Sequence, residues 1–488
     1  MAILQALKVA GALSLALPSA ALAQPKLSKK GPASSYLTSA DGAYNLTSYA
    51  APVLGTGDSP TWSLAVDDTR SGHKQQMVGF GAAVTDATIT VFSALSEAQR
   101  SALFTELLTT DGPEAVGMSL MRHSIGASDL SSYEYSYDQT PNNISPDPRV
   151  ANFSLEDPGN HMVNMIAEFK KYNPDLRLLG SVWSPPGWMK NNHVQDGNAT
   201  DNTFNMKWAG SYAEYFVKYI QAFRKKGVQV DAITIQNEPL NSNPGYPTMY
   251  LPANESTAII QHHVGPSLKS AGLNTEIWAY DHNTDVPEYP QTVLDGAGDY
   301  VNNVAWHCYA TNNTWDVLTQ FHKKNPKATQ YMTECWTSPY TSWYQVPYFV
   351  MGPIQNWAVG AIAWTLGTTF DYNPHLPGGC NSCRGFIEVD PATGTYKKTT
   401  DYYMMGQFSK FVPRGAIALS TSASFDVEIE EKIATAAFLN PDHSRTVVIY
   451  NGFPQDGNAT VNFASGESWT GQVYQKSVVT WTLPPAQD

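Results

Sequence analysis

The stretch VDAITIQNEP (230–239) is a short β-branched run that ends in Asn, Glu and Pro. Seven other short apolar, β-branched or aromatic runs recur along the chain, most of them ending in polar or Gly/Pro residues: MVGFGAAVTD (77–86), GMSLMRHSIG (117–126), RLLGSVWSPP (177–186), TEIWAYDHN (275–283), NVAWHCYA (303–310), QYMTECW (330–336) and GAIAWTLG (360–367). Most are separated by segments with helical spacing of apolar residues: 96–108, 161–172, 212–226, 256–271 and 315–324. This alternation predicts an α/β fold, an eight-stranded (β/α)8 TIM barrel.

The two ends of the chain have a different pattern from the barrel. From Gly415 onward apolar residues alternate at period two between turn signals, which predicts an antiparallel β-sandwich over 406–488. The segment 24–75, which contains TWSLAVDD (61–68), is expected to add strands to it. We therefore predict a catalytic barrel at 76–405 with a side domain built from both chain ends.

The first residues have the form of a secretory signal. Lys8 precedes an apolar run from Val9 to Leu17, and the small-residue site Ala-Leu-Ala ends at Ala23, which predicts a signal peptide over 1–23. The run is shorter than a membrane span and Pro18 interrupts it. We expect a secreted, extracellular, soluble monomer. Seven sequons agree with a secretory route: Asn45, Asn143, Asn152, Asn198, Asn254, Asn312 and Asn458.

Composition indicates which class of partner the protein binds. The 43 acidic and 30 basic residues give a net charge of −13, and no run of Lys or Arg interrupts that balance. Neither a nucleic acid nor an anionic membrane surface is expected as a partner. With 12% aromatic and only 15% charged residues, the chain is suited to a neutral substrate.

The sequence contains four cysteines, which we consider two at a time. Cys380 and Cys383 lie in the Gly-rich segment GGCNSC, where a small-loop disulfide is the preferred prediction and a zinc site, which needs two further ligands, is the alternative. Cys308 and Cys335 each follow an inward-pointing residue, so both are expected to face the helices as free thiols. A disulfide between them is the alternative, and it requires Cα atoms less than about 7 Å apart.

The carboxyl ends of the predicted strands concentrate reactive and aromatic residues, and in a barrel they meet at one mouth. Those residues are Asp86, Arg122, Asp129, Trp183, Asn237, Glu238, Asp281, His282, His307, Tyr309, Glu334 and Trp364. Glu238 and Glu334 end the fourth and seventh runs, which lie across the mouth from each other. A retaining glycosidase needs such a pair, one carboxyl as acid/base and the other as nucleophile. Asp86 is expected to support the mouth through hydrogen bonds, with a catalytic role as the alternative.

The residues around this pair suit a neutral sugar. The flat apolar faces for pyranose rings are Trp183, Trp188, Trp336, Trp364 and Tyr309, and the directional hydrogen bonds come from Arg122, Asp129 and His307. Asn237 is placed to hold a sugar 2-hydroxyl. His262 and His263 lack metal-ligand spacing, and no glycine-rich phosphate loop opens a helix, so neither a metal nor a cofactor is predicted.

Several of these segments resemble glycoside hydrolase family 30. They are GFGAAVTDA (79–87), MRHSIGASDL (121–130), WSPPGWMK (183–190), IQNEPL (235–240), WHCYA (306–310), TECW (333–336) and FSKFVPRGA (408–416). The resemblance covers nearly all of the mature chain and implies a barrel fused to a side sandwich, with retention of configuration. It implies Glu238 as the acid/base and Glu334 as the nucleophile. It also implies a −1 sugar site lined by Arg122, Asp129, Trp183, Asn237, His307, Tyr309 and Trp364.

Two departures bear on the substrate. Where glucosylceramidases of this family usually read Gly-Gly-Ala/Ser-Phe-Thr-Asp, residues 81–86 read GAAVTD, and Thr365 stands where Asn often follows the tryptophan. The chain is instead similar to the fungal endo-1,6-β-glucanases, so we expect hydrolysis of β-1,6-glucan. The alternatives are β-1,6-galactan, xylan or glucosylceramide as substrate, or a carbohydrate-binding protein without turnover, which would not need two neighbouring carboxylates.

Overall fold

The computed structural model describes residues 32–57, 59–141, 144–197, 200–311, 314–426 and 428–486. The predicted signal peptide and the sequons Asn143, Asn198 and Asn312 lie outside these ranges. Eight parallel strands close into a barrel in sequence order, which confirms the predicted (β/α)8 fold. The barrel strands are Gly79–Val84, Leu120–Ser124, Arg177–Ser181, Ala232–Thr234, Glu276–Asn283, Val301–His307, Thr329–Glu334 and Ala358–Ala363.

Helices surround the barrel at the predicted places, with ends shifted by a few residues. They are Asp86–Ser93, Glu97–Leu108, Glu156–Tyr172, Ala209–Lys225, Ala253–Ile259, Gly265–Ser270, Glu288–Ala297, Asp316–Lys324, Gln345–Gln355 and Thr400–Ser409. Three short 3-10 turns are Arg70–Gly72, Gly187–Met189 and Met206–Trp208, and a π-helical turn, Ile260–Val264, interrupts the predicted helix 256–271. The predicted domain boundary after residue 405 falls inside the last helix.

The interior of the barrel is a packed core rather than a channel. Its layer consists of Leu120, Leu179, Ala232, Trp278, Ala305, Tyr331, Val359 and Ile362. The rings of Trp278 and Tyr331 stack with centroids 3.8 Å apart. Because this layer fills the barrel, a ligand reaches only the ends of the strands, and the loops at the carboxyl ends form the accessible mouth.

The side domain contains eleven strands from both ends of the chain, as predicted. They are Ser34–Ser39, Thr47–Tyr49, Val53–Leu54, Trp62–Asp67, His73–Gln76, Ile417–Thr421, Ile433–Leu439, Arg445–Asn451, Gly457–Phe463, Ser468–Val473 and Ser477–Leu483. Strand Ser34–Ser39 pairs antiparallel with Ser477–Leu483. The strands after residue 415 pair antiparallel with one another, as predicted, whereas Trp62–Asp67 runs parallel to Gly457–Phe463. These two strands come from opposite chain ends, and no hairpin constrains their direction.

The sandwich is joined to the barrel through partly buried polar contacts on a barrel helix. The side-chain amide of Gln355 donates to the carbonyls of Ala423 (2.9 Å) and Thr435 (2.7 Å), and its oxygen accepts from the Phe425 amide (2.7 Å).

A small three-stranded sheet follows the eighth barrel strand. Its strands are Gly367–Thr369, Ile387–Asp390 and Thr395–Lys398. Within the described ranges, no helix has the length and apolar character needed to cross a membrane.

The structure contains two disulfides, and one of them corrects the sequence analysis. Cys308 and Cys335, expected as free thiols, are bonded with Cα atoms 5.4 Å apart. The physical reason is the register of the sixth and seventh strands, in which His307 lies beside Glu334, so the following cysteines face each other. Cys380 and Cys383 form the second disulfide, with a Cα separation of 5.5 Å.

Candidate active site

Two carboxyl groups converge at the mouth of the barrel. Glu334 is the last residue of the seventh strand, and Glu238 follows the fourth strand in a backbone conformation with φ of 46°. The amide of Glu238 donates to the Asp281 carbonyl at 3.0 Å, which anchors this segment to the fifth strand. One oxygen of each carboxylate and His307 Nδ1 all lie within 4.8 Å of one another.

A fully buried arginine forms the floor beneath the pair. The Arg122 guanidinium donates to Glu334 Oε2 (2.5 Å), Asn237 Oδ1 (2.5 Å) and Asp281 Oδ2 (2.9 Å). Its planar group also lies 4.7 Å from the centroid of the Trp183 ring, within cation–π range. The same cation therefore orients a carboxylate, an amide and an aromatic wall of the site.

Asp281 is a buried anion at the centre of this network. Its carboxylate accepts hydrogen bonds from the hydroxyls of Ser181 (2.6 Å), Thr234 (2.7 Å) and Thr333 (2.7 Å), in addition to Arg122. Although burial favours the neutral acid, the Arg122 charge and these donors hold the pKa of Asp281 well below its usual range. Asp281 was expected at the mouth without a specific role, and the Asp-His pair at the end of the fifth strand was the available signal.

His307 connects Asp281 to both glutamates. Its Nε2 lies 3.0 Å from Asp281 Oδ1, and its Nδ1 lies 3.1 Å from Glu238 Oε1 and 3.7 Å from Glu334 Oε1. Although burial opposes protonation, the charge of Glu334 and these hydrogen bonds raise the pKa of His307 to about 9. Burial acts to raise the pKa of Glu238, but the hydrogen bond with His307 is among the interactions that together lower that pKa to about 2. The proton of this pair therefore lies on His307 Nδ1 at neutral pH.

Donors contact both oxygens of Glu334. The Tyr309 hydroxyl donates to Oε1 at 3.0 Å, while Arg122 donates to Oε2. Burial raises the pKa of Glu334, and the charges of His307 and Arg122 act in the opposite direction. Because both of its oxygens are engaged, this carboxylate has a single orientation toward the cavity.

The two glutamates open onto a cavity of about 240 Å³. Its other lining residues are Asp129, Trp183, Asn237, Asn241, Asn243, Tyr246, Tyr309, Trp336, Trp364, Cys380 and Cys383. The rings of Trp183 and Trp364 are 5.2 Å apart. Of the residues expected in the −1 sugar site, all are in this wall except Arg122 and His307, which contact the glutamates. Trp188 does not line the cavity: it is buried, and its indole N–H donates to Asp138 at 3.0 Å.

Two side chains beside Glu238 were not predicted from the sequence. The Asn241 amide donates to Glu238 Oε2 at 2.8 Å and to the Tyr246 hydroxyl at 3.0 Å. Both residues belong to the loop that follows the fourth strand, immediately after the Asn-Glu-Pro motif. Their position three and eight residues beyond Glu238 was the signal that could have found them.

The loop closed by Cys380–Cys383 forms one wall of the cavity. The Cys380 amide is 3.4 Å from Asp129 Oδ2, and burial together with the charge of Glu334 raises the pKa of Asp129 to about 7. The Gly378 amide donates to the Gly245 carbonyl at 3.1 Å. A Cβ atom at Gly378 would lie only 2.6 Å from the Gly245 Cα. The loops after the fourth and eighth strands therefore meet backbone to backbone across the mouth.

Asp86 is separate from this cavity. It is buried and accepts from the hydroxyls of Ser131 (2.5 Å) and Tyr135 (3.0 Å), and burial raises its pKa to about 6. Within the ranges that the structure describes, the group suited to holding a metal ion is Glu238, His307 and Glu334. Their donor atoms are already engaged by hydrogen bonds, and the absence of a metal or cofactor stays a prediction.

Comparisons with known proteins show the family to which the chain is related. The Glycosyl hydrolase family 30 TIM-barrel domain matches residues 77–412, and the family 30 beta sandwich domain matches residues 415–481. An endo-1,6-β-D-glucanase of Aspergillus fumigatus is 52% identical over 470 residues, covering 93% of this chain and 95% of its own. The mouse lysosomal acid glucosylceramidase is 29% identical, covering 80% and 77% respectively. The solved structure of the endo-β1,6-glucanase BT3312 matches with a TM-score of 0.81 and 27% identity, covering 93% of this chain and all of that one.

Proposed function

This chain belongs to glycosyl hydrolase family 30, and from that membership we propose that it is an endo-1,6-β-glucanase that acts with retention of configuration. The observation that carries the mechanism is the approach of Glu238 and Glu334, with one oxygen of each within 4.8 Å. Retaining enzymes hold their carboxyl groups about 5–5.5 Å apart, whereas inverting enzymes need about 6.5–9.5 Å to admit a water. The close approach in this site therefore favours the retaining arrangement.

We assign the nucleophile to Glu334. Its two oxygens accept from Tyr309 and Arg122, which orients the carboxylate toward an anomeric carbon above it. In the first step it attacks that carbon, and the bond to the leaving glucose oxygen breaks. The leaving oxygen takes a proton from Glu238. In the second step Glu238 removes a proton from water, which releases the β-configured product from Glu334.

His307 supplies the proton that Glu238 donates. The Nδ1 atom that carries the proton is 3.1 Å from Glu238 Oε1, so the proton needs only one transfer to reach the acid. Among the interactions that keep this proton on the imidazole, the charge of Glu334 is the largest. Formation of the glycosyl ester consumes that charge, so the pKa of His307 falls as the leaving group departs and needs the proton. Hydrolysis of the ester restores the charge and returns the proton to His307.

The remaining lining residues form the −1 sugar site in this proposal. Trp183 and Trp364 present their ring faces, and Asn237, held by Arg122, is placed for the 2-hydroxyl. Asp129 is the hydrogen-bond partner of a hydroxyl on the other side of the ring. Neutral groups dominate this wall, which is the composition that an uncharged glucose requires.

The substrate proposal rests on the relatives that are about half identical over nearly their whole length, whereas the mouse glucosylceramidase is 29% identical. The test is hydrolysis of pustulan, laminarin, β-1,6-galactan, xylan and glucosylceramide by the purified protein. Short β-1,6-linked oligosaccharides should accumulate from pustulan. Faster release from galactan or xylan, or glucose as the sole early product, would contradict the proposal.

The nucleophile assignment has its own experiment. Glu334→Gln should lose turnover of every substrate because no glycosyl ester forms, while Glu97→Gln, an exposed helix residue, serves as the matched control. The variant should keep the wild-type melting temperature within a few degrees. Residual turnover above about one part in a thousand would remove Glu334 from the reaction.

We also propose that the protein is a secreted, N-glycosylated monomer that begins near Gln24. Four described sequons, Asn45, Asn152, Asn254 and Asn458, are exposed and therefore open to modification. Mass spectrometry of protein from a eukaryotic culture medium should find an N-terminus at or near Gln24 and hexose-rich additions. An intact Met1 terminus would contradict the proposal.

A further inference from the structure

Exposed large apolar side chains are concentrated on the loops that surround the active site. Among the described residues, those on loops after barrel strands are Tyr133, Ile144, Val194, Tyr250, Tyr340 and Phe370, and those in the side domain are Val53, Leu54 and Ile429. Tyr340 is the most exposed of them, at 81%. Its ring therefore presents a flat apolar face that is open to stacking.

The turn that carries Tyr340 is well ordered by hydrogen bonds. The Ser338 amide donates to the Thr341 hydroxyl at 3.1 Å, and that hydroxyl donates to the Ser338 carbonyl at 2.8 Å. The Tyr340 amide donates to the Ser338 hydroxyl at 3.2 Å. Because the backbone is already fixed, a ligand that stacks on the ring would not have to order the loop.

This turn continues the wall of the catalytic cavity. Trp336 lines the cavity, and the Thr337 amide donates to the Trp364 carbonyl at 3.0 Å. The Thr337 hydroxyl donates to the Arg384 carbonyl at 2.9 Å, next to the disulfide loop. Four residues of chain span at most about 14 Å, so Tyr340 lies within a few sugar units of Trp336.

We propose that Tyr340 is a stacking platform for a glucose unit of β-1,6-glucan bound outside the catalytic cavity. The inference rests on the proposed function and extends its binding site beyond the −1 sugar. A cavity of about 240 Å³ does not hold an extended chain, and an enzyme that cuts inside a polymer has to bind units on both sides of the scissile bond. A tyrosine with an exposed ring offers an apolar face for the C–H face of a neutral pyranose.

The test compares three variants on two substrates. Tyr340→Ala removes the ring, Tyr340→Phe keeps it, and Leu54→Ala, at an exposed position on the sandwich edge, is the control. The substrates are pustulan and an aryl β-glucoside with a good leaving group. We expect Tyr340→Ala to lose about three- to tenfold more kcat/KM on pustulan than on the glucoside, mainly through KM. Tyr340→Phe and Leu54→Ala should match the wild type.

Binding provides a second measurement that turnover does not affect. In a gel that contains pustulan, Glu334→Gln should be retarded, and the double variant Glu334→Gln/Tyr340→Ala should be retarded less. Equal losses on the two substrates, or unchanged retardation, would overturn the platform. If the wild type hydrolyses another polymer instead of pustulan, the proposed function fails, and the same variants on that polymer still test Tyr340.

Discussion

Replacing Asp281 by Asn should destabilise the protein and disturb the proton of the acid/base together. The carboxylate accepts from three hydroxyls and pairs with Arg122 and His307 without any exposure to solvent. The amide keeps the shape but removes the charge, so Arg122 retains only Glu334 as a charged partner. Breaking one partner of a buried ion pair costs about 3–5 kcal/mol.

The expected shift in melting temperature follows from the size of the chain. At about 2.1 cal/mol/K per residue, the roughly 450 residues that the structure describes give an unfolding entropy of about 1 kcal/mol/K. The loss of about 3–5 kcal/mol in the free energy of unfolding therefore corresponds to a fall of about 3–5 °C in the melting temperature. Circular dichroism melting at pH 6 measures it, with the exposed Asp175→Asn as control.

The same variant changes the ionisation of the site. His307 loses the hydrogen bond from Nε2 to a carboxylate, and its pKa falls below the value of about 9 in the wild type. The proton then moves toward Glu238, and the alkaline limb of kcat for an unactivated glucan should shift to lower pH. A melting temperature within 1 °C of the wild type, with an unchanged pH profile, would refute the account of Asp281.

Three further predictions concern the wall and the acid/base. Burial raises the pKa of Asp129 to about 7, so its carboxyl group can donate a hydrogen bond below that pH but not above it, and kcat/KM should decline above about pH 7. Asp129→Asn keeps a donor and should lack this decline in a pH titration of kcat/KM. An identical decline in the variant would contradict the assignment. Gly378→Ala should raise KM for glucan about tenfold because its Cβ would lie 2.6 Å from the Gly245 Cα, whereas Gly210→Ala meets nothing closer than 3.9 Å; equal kinetics for the two variants would contradict the role of this contact. Glu238→Ala should keep the first step only for aryl glucosides with good leaving groups, and azide should restore turnover with a β-glucosyl azide product; nuclear magnetic resonance that shows an α-azide would contradict the acid/base assignment.

The sequence was sufficient to predict the barrel because its signals are local and repeated. Each of the eight runs is short and apolar, most end in polar or Gly/Pro residues, and all eight form barrel strands. The sandwich strands were equally visible through period-two alternation. The pairing partners of these strands could not be predicted. Trp62–Asp67 and Gly457–Phe463 are far apart in the chain, and no local signal sets their relative direction.

The site was predictable where a residue's role depends on its position at a strand end. Glu238, Glu334, Trp183 and Trp364 all reach the cavity for that reason. The role of Asp281 depends on donors from three other strands, which no single segment reveals. The bond between Cys308 and Cys335 likewise follows from the register of two strands, a property of the folded sheet rather than of either segment.

The anomeric form of the first product from pustulan tests the central claim most directly. Nuclear magnetic resonance during the first minutes of hydrolysis, before mutarotation, distinguishes the two reducing-end anomers. The short gap between Glu238 and Glu334 predicts β-1,6-linked oligosaccharides with β reducing ends. An initial α-anomer would require a water between the carboxylates, and it would contradict both the double displacement and the assignment of Glu334 as nucleophile.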